Sequence, residues 1–155
     1  MKKKLLSLLL VLLMLASLLP ASALAANKTF GDFFAGLPLI AETEPGSPNS
    51  TKKWKVTTLG GEDVLMSGNK GKSSSSSTLQ LTMTADTNLI FEYKVSTEKN
   101  YDKLTITQGS KTLVNGVSGV IDWTRLEIDA KSGDVITIVY KKDSSGDKND
   151  DCVYI

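Results

Sequence analysis

Alternation of apolar and polar residues is the strongest pattern in the chain, and it runs from Trp54 to Tyr140. In each run every second residue is apolar, and β-branched and aromatic side chains predominate. A period of two places those residues on one face of a β-strand, buried against a second layer. The clearest apolar sets are Trp54 and Val56; Leu79, Leu81 and Met83; Leu89, Phe91, Tyr93 and Val95; Leu104 and Ile106; Leu126 and Ile128; Ile136, Ile138 and Tyr140.

Turn-forming residues separate these runs about every ten positions, as at Gly60-Gly61 and Asn115-Gly116. No stretch of the chain after the N-terminus has a helical period. Seven or more short strands at this spacing predict an all-β fold, an antiparallel β-sandwich with one core between two sheets. The run from Ile136 to Tyr140 is apolar on both faces, so it is expected to be a central strand.

The N-terminus has the pattern of an export signal. Lys2 to Lys4 precede an apolar run from Leu5 to Leu19, and Ala23-Leu24-Ala25 forms a cleavage site. An uncleaved anchor is the alternative, but a span needs about 20 apolar residues. We therefore expect a secreted or cell-surface, extracellular protein of bacterial type, with no membrane span in the mature chain.

The sequence divides into three parts. Residues 1–25 are the predicted signal peptide, 26–52 are expected to be an irregular N-terminal segment, and 53–155 are expected to form the sandwich domain. Three phenylalanines in the irregular segment are expected to pack beneath the edge of the sandwich domain: Phe30, Phe33 and Phe34.

The amino-acid composition excludes several kinds of functional site. The chain has 155 residues without histidine, which excludes histidine-dependent triads and histidine-ligated metals. Its single cysteine, Cys152, excludes an internal disulfide and is expected to be a buried core residue. Removal of the signal leaves 15 basic and 17 acidic residues with no basic stripe, so no nucleic-acid partner is expected. A small sandwich leaves little room for a catalytic cleft, so no enzyme and no catalytic residue are predicted.

Two short segments resemble CUB-type jelly-roll modules. They are Tyr101-Asp102-Lys103-Leu104-Thr105-Ile106, and Lys142-Asp143-Ser144-Ser145 after the strand that ends at Tyr140. The order of motifs from Ser67 to Asp134 is also similar to MAM-like modules of large secreted bacterial proteins. The resemblance implies a jelly-roll arrangement of the sandwich. The disulfides typical of animal members are missing here, which suits a bacterial version.

The resemblance also implies a calcium site. In CUB modules one Glu and two Asp residues from separate loops hold the ion, and the matching positions are Glu98, Asp102 and Asp143. Calcium takes six to eight oxygen ligands, and carboxylates brought together from loops suit it. The alternative is that all three are solvated loop acids, with Asp102 capping a turn.

The expected function is binding or adhesion at the bacterial surface. The predicted contact surface combines the loops 96–102, 115–123 and 143–151, with Tyr101 and Trp123 as candidate ligand-binding residues for an extracellular protein or carbohydrate. Trp54 and Trp123 suit either sugar stacking or the core, and the core interpretation is favoured for both. A structural spacer without a ligand is a further alternative.

Overall fold

The computed structural model describes residues 28–47 and 49–155, and the segment assigned to the export signal lies outside them. The described residues form one short helix, α1 (Phe30–Phe33), and ten strands. The strands are β1 (Leu39–Thr43), β2 (Lys55–Leu59), β3 (Glu62–Met66), β4 (Ser76–Met83), β5 (Thr87–Ser96), β6 (Lys103–Gln108), β7 (Lys111–Val117), β8 (Val120–Ala130), β9 (Val135–Lys141) and β10 (Cys152–Tyr154).

Two five-stranded antiparallel sheets build the fold. The first sheet has the order β1-β4-β9-β6-β7 and the second has the order β2-β3-β10-β5-β8. Apart from the β2–β3 and β6–β7 hairpins, each strand is followed in the chain by one from the other sheet. The prediction of an all-β antiparallel sandwich is confirmed.

The alternating residues face the space between the sheets, as predicted. In β4 the burial of successive residues alternates along the whole strand, with Leu79, Leu81 and Met83 buried. One continuous core joins residues of both sheets, including Leu81 of the first sheet and Val95 of the second. The predicted central position of the run from Ile136 to Tyr140 is also confirmed, because β9 lies third of five in its sheet.

The N-terminal segment differs from the expectation of an irregular stretch over 26–52. Residues Leu39–Thr43 form the edge strand β1, which pairs with β4. A strand at an edge is half exposed, so its short alternation, with Ile40 pointing outward, gives little signal in the sequence. The helix α1 begins at a Thr29–Asp32 capping box, and its phenylalanines pack against the core as expected.

The second sheet carries an additional apolar cluster apart from the main core. It consists of Val64, Met66, Cys152 and Tyr154 from the neighbouring strands β3 and β10. The expected burial of Cys152 is confirmed. Among the described residues, no helix is both long and apolar enough to cross a membrane.

Candidate binding site

Three loops meet at one end of the sandwich, which we call the loop end. They connect β5 to β6, β7 to β8, and β9 to β10. The amide of Thr97 donates to the carbonyl of Gly119 over 2.9 Å, and the side-chain amide of Asn149 donates to the carbonyl of Thr97 over 2.7 Å. The Asn100 amide donates to Ser118 Oγ over 2.8 Å. These bonds fix the loops against one another.

A buried ammonium group lies at the centre of the loop end. The side chain of Lys142 is 1% exposed, and its Nζ donates to the carboxylates of Asp147 (2.7 Å) and Asp151. Asp151 is itself buried and also accepts a bond from the amide of Gly71 over 2.6 Å. The hydroxyl of Tyr140 lies 3.3 Å from Asp151 Oδ1. This cluster could not be predicted from the sequence, because it depends on how the loop between β9 and β10 folds back over β9.

The ion pairs shift the protonation equilibria of their members. Burial lowers the pKa of Lys142, but the bonds to Asp147 and Asp151 outweigh it and leave that pKa above its ordinary value. The bond from Lys142 lowers the pKa of Asp147. Burial and the nearby carboxylates of Asp102 and Asp151 raise the pKa of the Tyr140 phenol. At neutral pH the lysine is therefore charged and the phenol is neutral.

Asp102 is fully buried beside this cluster. Its Oδ1 accepts a bond from the amide of Asp143 over 3.0 Å, and its Oδ2 lies 3.4 Å from the Tyr140 hydroxyl. Burial raises the pKa of Asp102, and the bond from the Asp143 amide and the charge of Lys142 oppose that rise. Asp102, which directly precedes β6, thus connects the start of β6 to the residues after β9. It lies at the loop end, as Asp143 does.

The three expected calcium ligands do not fit a common ion as they are placed. The two oxygens of Asp102 face the Asp143 amide and the Tyr140 hydroxyl. Asp143 Oδ1 accepts the amide of Ser145, and the Glu98 carboxylate lies against Gly146. Across residues 28–47 and 49–155, no group of three acidic or cysteine side chains is arranged to hold a metal. Calcium binding stays a prediction from the sequence.

The two candidate contact residues lie on different surfaces. Tyr101 is 59% exposed at the loop end, where it lines a small pocket with Lys103 and Asp143. Trp123 is within β8 rather than in a loop, and it lines a groove that shares no residue with the Tyr101 pocket. The prediction that Trp123 lies in a loop, on the same contact surface as Tyr101, is therefore wrong.

The tryptophans also have different environments. Trp54 is 2% exposed in the main core, so the core interpretation is confirmed for it. Trp123 is 38% exposed, so the core interpretation is wrong there. In the β5–β8 ladder the register shifts between Tyr93 and Val95. Trp123 lies in the part of β8 that pairs with this irregularity. A bulge interrupts the alternation of buried and exposed residues, so the sequence pattern does not show which face Trp123 is on.

The groove beside Trp123 has a volume of about 380 Å³ and lies in the second sheet. Phe33 and Phe91 line it together with Trp123, so part of its wall is aromatic. Its size lies in the range of ordinary ligand pockets, about 300–1,000 Å³. A site of this kind can bury an apolar side chain or stack against a ring.

Three acidic residues also line the groove: Glu62, Asp63 and Glu92. Glu62 and Glu92 are exposed, and Asp63 is partly buried. The described residues that line the groove include no lysine or arginine, so the local charge is negative. The sequence did not reveal this site, because 20 residues (67–86) separate β3 from β5, and the two strands are neighbours only through β10.

Comparison with known proteins gives one structural likeness. No protein-family model and no curated protein sequence matches the chain. The fold is similar to part of the secreted serine protease VesC from Vibrio cholerae, with a TM-score of 0.52 and 19% sequence identity. The match covers 79% of this chain and 24% of the protease, so the chain spans about a quarter of that protein's length. At this identity the likeness supports the fold alone.

Proposed function

We propose that the chain is a secreted, non-catalytic module that binds or adheres to an extracellular ligand at the bacterial surface. The observation that carries this proposal is the groove of about 380 Å³ in the second sheet, with its aromatic wall and acidic rim. The strands beside it pack against the main core, which supports a preformed surface. A rigid, preformed site loses little conformational freedom on binding.

The proposal of a non-catalytic role rests on the residues available to the chain. A serine protease triad requires a histidine, and this chain has none. The export pattern of the first 25 residues supports a location outside the cell.

A polypeptide is the ligand that the groove favours, because apolar side chains and basic groups would both find partners there. A carbohydrate is the second candidate. An exposed tryptophan beside carboxylates suits it, since a sugar ring stacks on the indole while its hydroxyls donate to the acids. Both ligands use Trp123.

The proposal is tested by screening the mature chain against a random linear peptide library and a glycan array. Trp123→Ala should abolish retention of every probe that the unchanged chain retains, because the indole forms part of the groove wall. Its partial exposure means that the variant should keep the fold. Circular dichroism and the melting temperature check this.

Tyr101→Ala is the matched control. Tyr101 is an exposed aromatic residue outside the groove, so its replacement should leave retention unchanged. Loss of binding with Tyr101→Ala and retention with Trp123→Ala would move the site to the loop end. A folded chain that retains no peptide and no glycan would instead favour a structural spacer.

A further inference from the structure

Strand β8 is the longest of the described strands, and it lies at an edge of the second sheet. It has eleven residues, whereas the edge strands β1 and β2 have five each. The remaining edge strand, β7, pairs with its neighbour β6 through two register shifts. Short length and bulges commonly protect a sheet edge from pairing with other chains. The second half of β8 has neither form of protection.

The regular part of β8 runs from Thr124 to Ala130. Over this range β8 pairs with β5 without a register shift, and in the described chain no strand pairs with its other side. About half of the backbone amides and carbonyls of an edge strand point away from its only neighbour. The Asp129 carbonyl accepts a bond from the side chain of Gln108 over 3.1 Å. The segment open to pairing is therefore Thr124 to Ile128.

Two opposite charges lie on one face of this open segment. Arg125 and Glu127 are both more than half exposed, and they form an ion pair within β8, with 2.6 Å between Arg125 Nη2 and Glu127 Oε1. A single charge protects an edge, because the same charge on a second copy repels it. A pair of opposite charges has the reverse effect in an antiparallel register that places the arginine of each copy opposite the glutamate of the other.

That register is consistent with a twofold axis. When Arg125 lies opposite Glu127 of the second copy, Leu126 lies opposite its own equivalent and Thr124 lies opposite Ile128. A shift by two residues in either direction would place two arginines or two glutamates directly opposite one another, which destabilises a sheet. A shift by one residue would exchange the inner and outer faces. The charges and the faces therefore favour one register.

The neighbouring strand β5 adds to this match. Glu92 lies opposite Arg125 in the β5–β8 ladder, and Phe91 lies opposite Leu126. In a dimer Arg125 would have an acidic residue on each side, Glu92 of its own copy and Glu127 of the other. Leu126 is only partly buried in the single chain, so contact with the second copy's Leu126 would remove further apolar surface from water.

We propose that β8 pairs with β8 of a second copy of this chain in an antiparallel, twofold-symmetric dimer, with Arg125 of each copy opposite Glu127 of the other. The two second sheets then form one continuous sheet, as in recognition by strand addition. The acidic residues of the groove belong to β3 and β5, on the side of β8 away from its open edge, so pairing leaves the groove open. This inference goes beyond the proposed function and does not depend on it.

The expected association is weak. The segment from Thr124 to Ile128 spans about 16 Å at the rise of a β-strand, so the contact is small and a micromolar dissociation constant is expected. Sedimentation velocity of the mature chain, from micromolar to millimolar concentration, measures it. Amide exchange between Thr124 and Ile128 should also slow as the concentration rises, which tests the edge without any substitution.

Charge reversal tests the register. Arg125→Glu and Glu127→Arg each place like charges opposite one another in the homodimer, so each variant alone should dissociate about tenfold more readily. An equimolar mixture should associate about as well as the unchanged chain, because the two acids of one variant then face the two arginines of the other. Both side chains are exposed, so both variants should keep the fold, which circular dichroism and the melting temperature check.

Lys55→Glu is the matched control, because Lys55 is an exposed basic residue on β2, the other edge of the same sheet. Its reversal should leave association unchanged. Recovery of association on mixing the two β8 variants supports the proposal. A chain that stays monomeric at all concentrations overturns it, as does association that only Lys55→Glu weakens or that neither β8 variant weakens. No ligand is used, so none of these results bears on the proposed function.

Discussion

Lys142 is the residue on which the loop end depends most. Its ammonium is almost without solvent contact and lies between Asp147 and the buried Asp151. Removing a charge from water is costly, and the cost is recovered only when partners are well placed. Here two carboxylates, one of them also bonded to the Gly71 amide, supply those partners. Loss of the lysine would leave the carboxylate of Asp151 buried without a counter-charge.

We predict that Lys142→Met lowers the free energy of unfolding by about 3–5 kcal/mol, the usual cost of removing one partner from a buried pair. Urea denaturation of the mature chain measures it. The control is Lys141→Met, because Lys141 is the adjacent residue and is exposed, so its loss should cost about 0.5 kcal/mol or less. Equal effects of the two substitutions would show that Lys142 carries no special stabilisation.

Asp102 gives the loop end a dependence on pH. Its pKa is raised above the ordinary value of 3.8, chiefly by burial. As pH rises through the interval between these two values, the unfolded chain releases its proton first, so this carboxyl makes the folded state progressively less stable. Asp147 acts in the opposite sense, because its lowered pKa stabilises the fold at neutral pH and that contribution is lost on acidification.

Asp102→Asn removes the charge and keeps an oxygen that can accept the Asp143 amide. We predict that the stability of the variant relative to the unchanged chain increases as the pH rises through the range above the ordinary aspartate pKa of 3.8. Urea denaturation at several pH values within this range tests it. A relative stability that falls with pH would mean that the charged form of Asp102 is favoured by the fold.

At the scale of the strands, alternation predicted most of the sandwich. The strands β4, β5, β6 and β9 bury one face each, so their period of two is visible in the sequence. The strand β3 was not predicted, since Val64, Leu65 and Met66 are all buried, on the main core or the second cluster, and show no alternation. The edge strand β1 gave too short a signal.

The candidate site was predicted only in part. The sequence placed Asp102 and Asp143 in two loops of one predicted contact surface, and the structure joins these residues by a hydrogen bond. The sequence also predicted that Tyr101 is an exposed aromatic residue, and the structure confirms this exposure. The groove could not be predicted, because it arises from the short pairing of β10 between two strands that are distant in the sequence.

The predicted calcium ligands lie in the loops of the loop end. If Glu98, Asp102 and Asp143 bind calcium through a rearrangement of the loop end, a chelator should lower the melting temperature of the mature chain by several degrees, since bound ligand stabilises by mass action. Differential scanning calorimetry with and without added calcium measures it. An unchanged melting temperature would contradict the hypothesis and leave Lys142 as the cation that balances the loop acids.

At the scale of the whole molecule, the sandwich separates two surfaces. The loop end is held together by hydrogen bonds and a buried ion pair, so its polar groups are largely used within the protein. The groove lies in the second sheet, where aromatic, aliphatic and acidic side chains line it. The main core supports both surfaces. We therefore expect the loop end to stabilise the fold, and we propose the groove as the binding site.

Residue-resolved hydrogen exchange tests this assignment most directly. It compares the mature chain alone with the chain plus a probe retained from the peptide library or glycan array. We predict slower exchange in the parts of β3 and β5 that line the groove, around Asp63 and Glu92, and no change around Tyr101. Slower exchange confined to the loops around Tyr101, with the groove unaffected, would contradict the account.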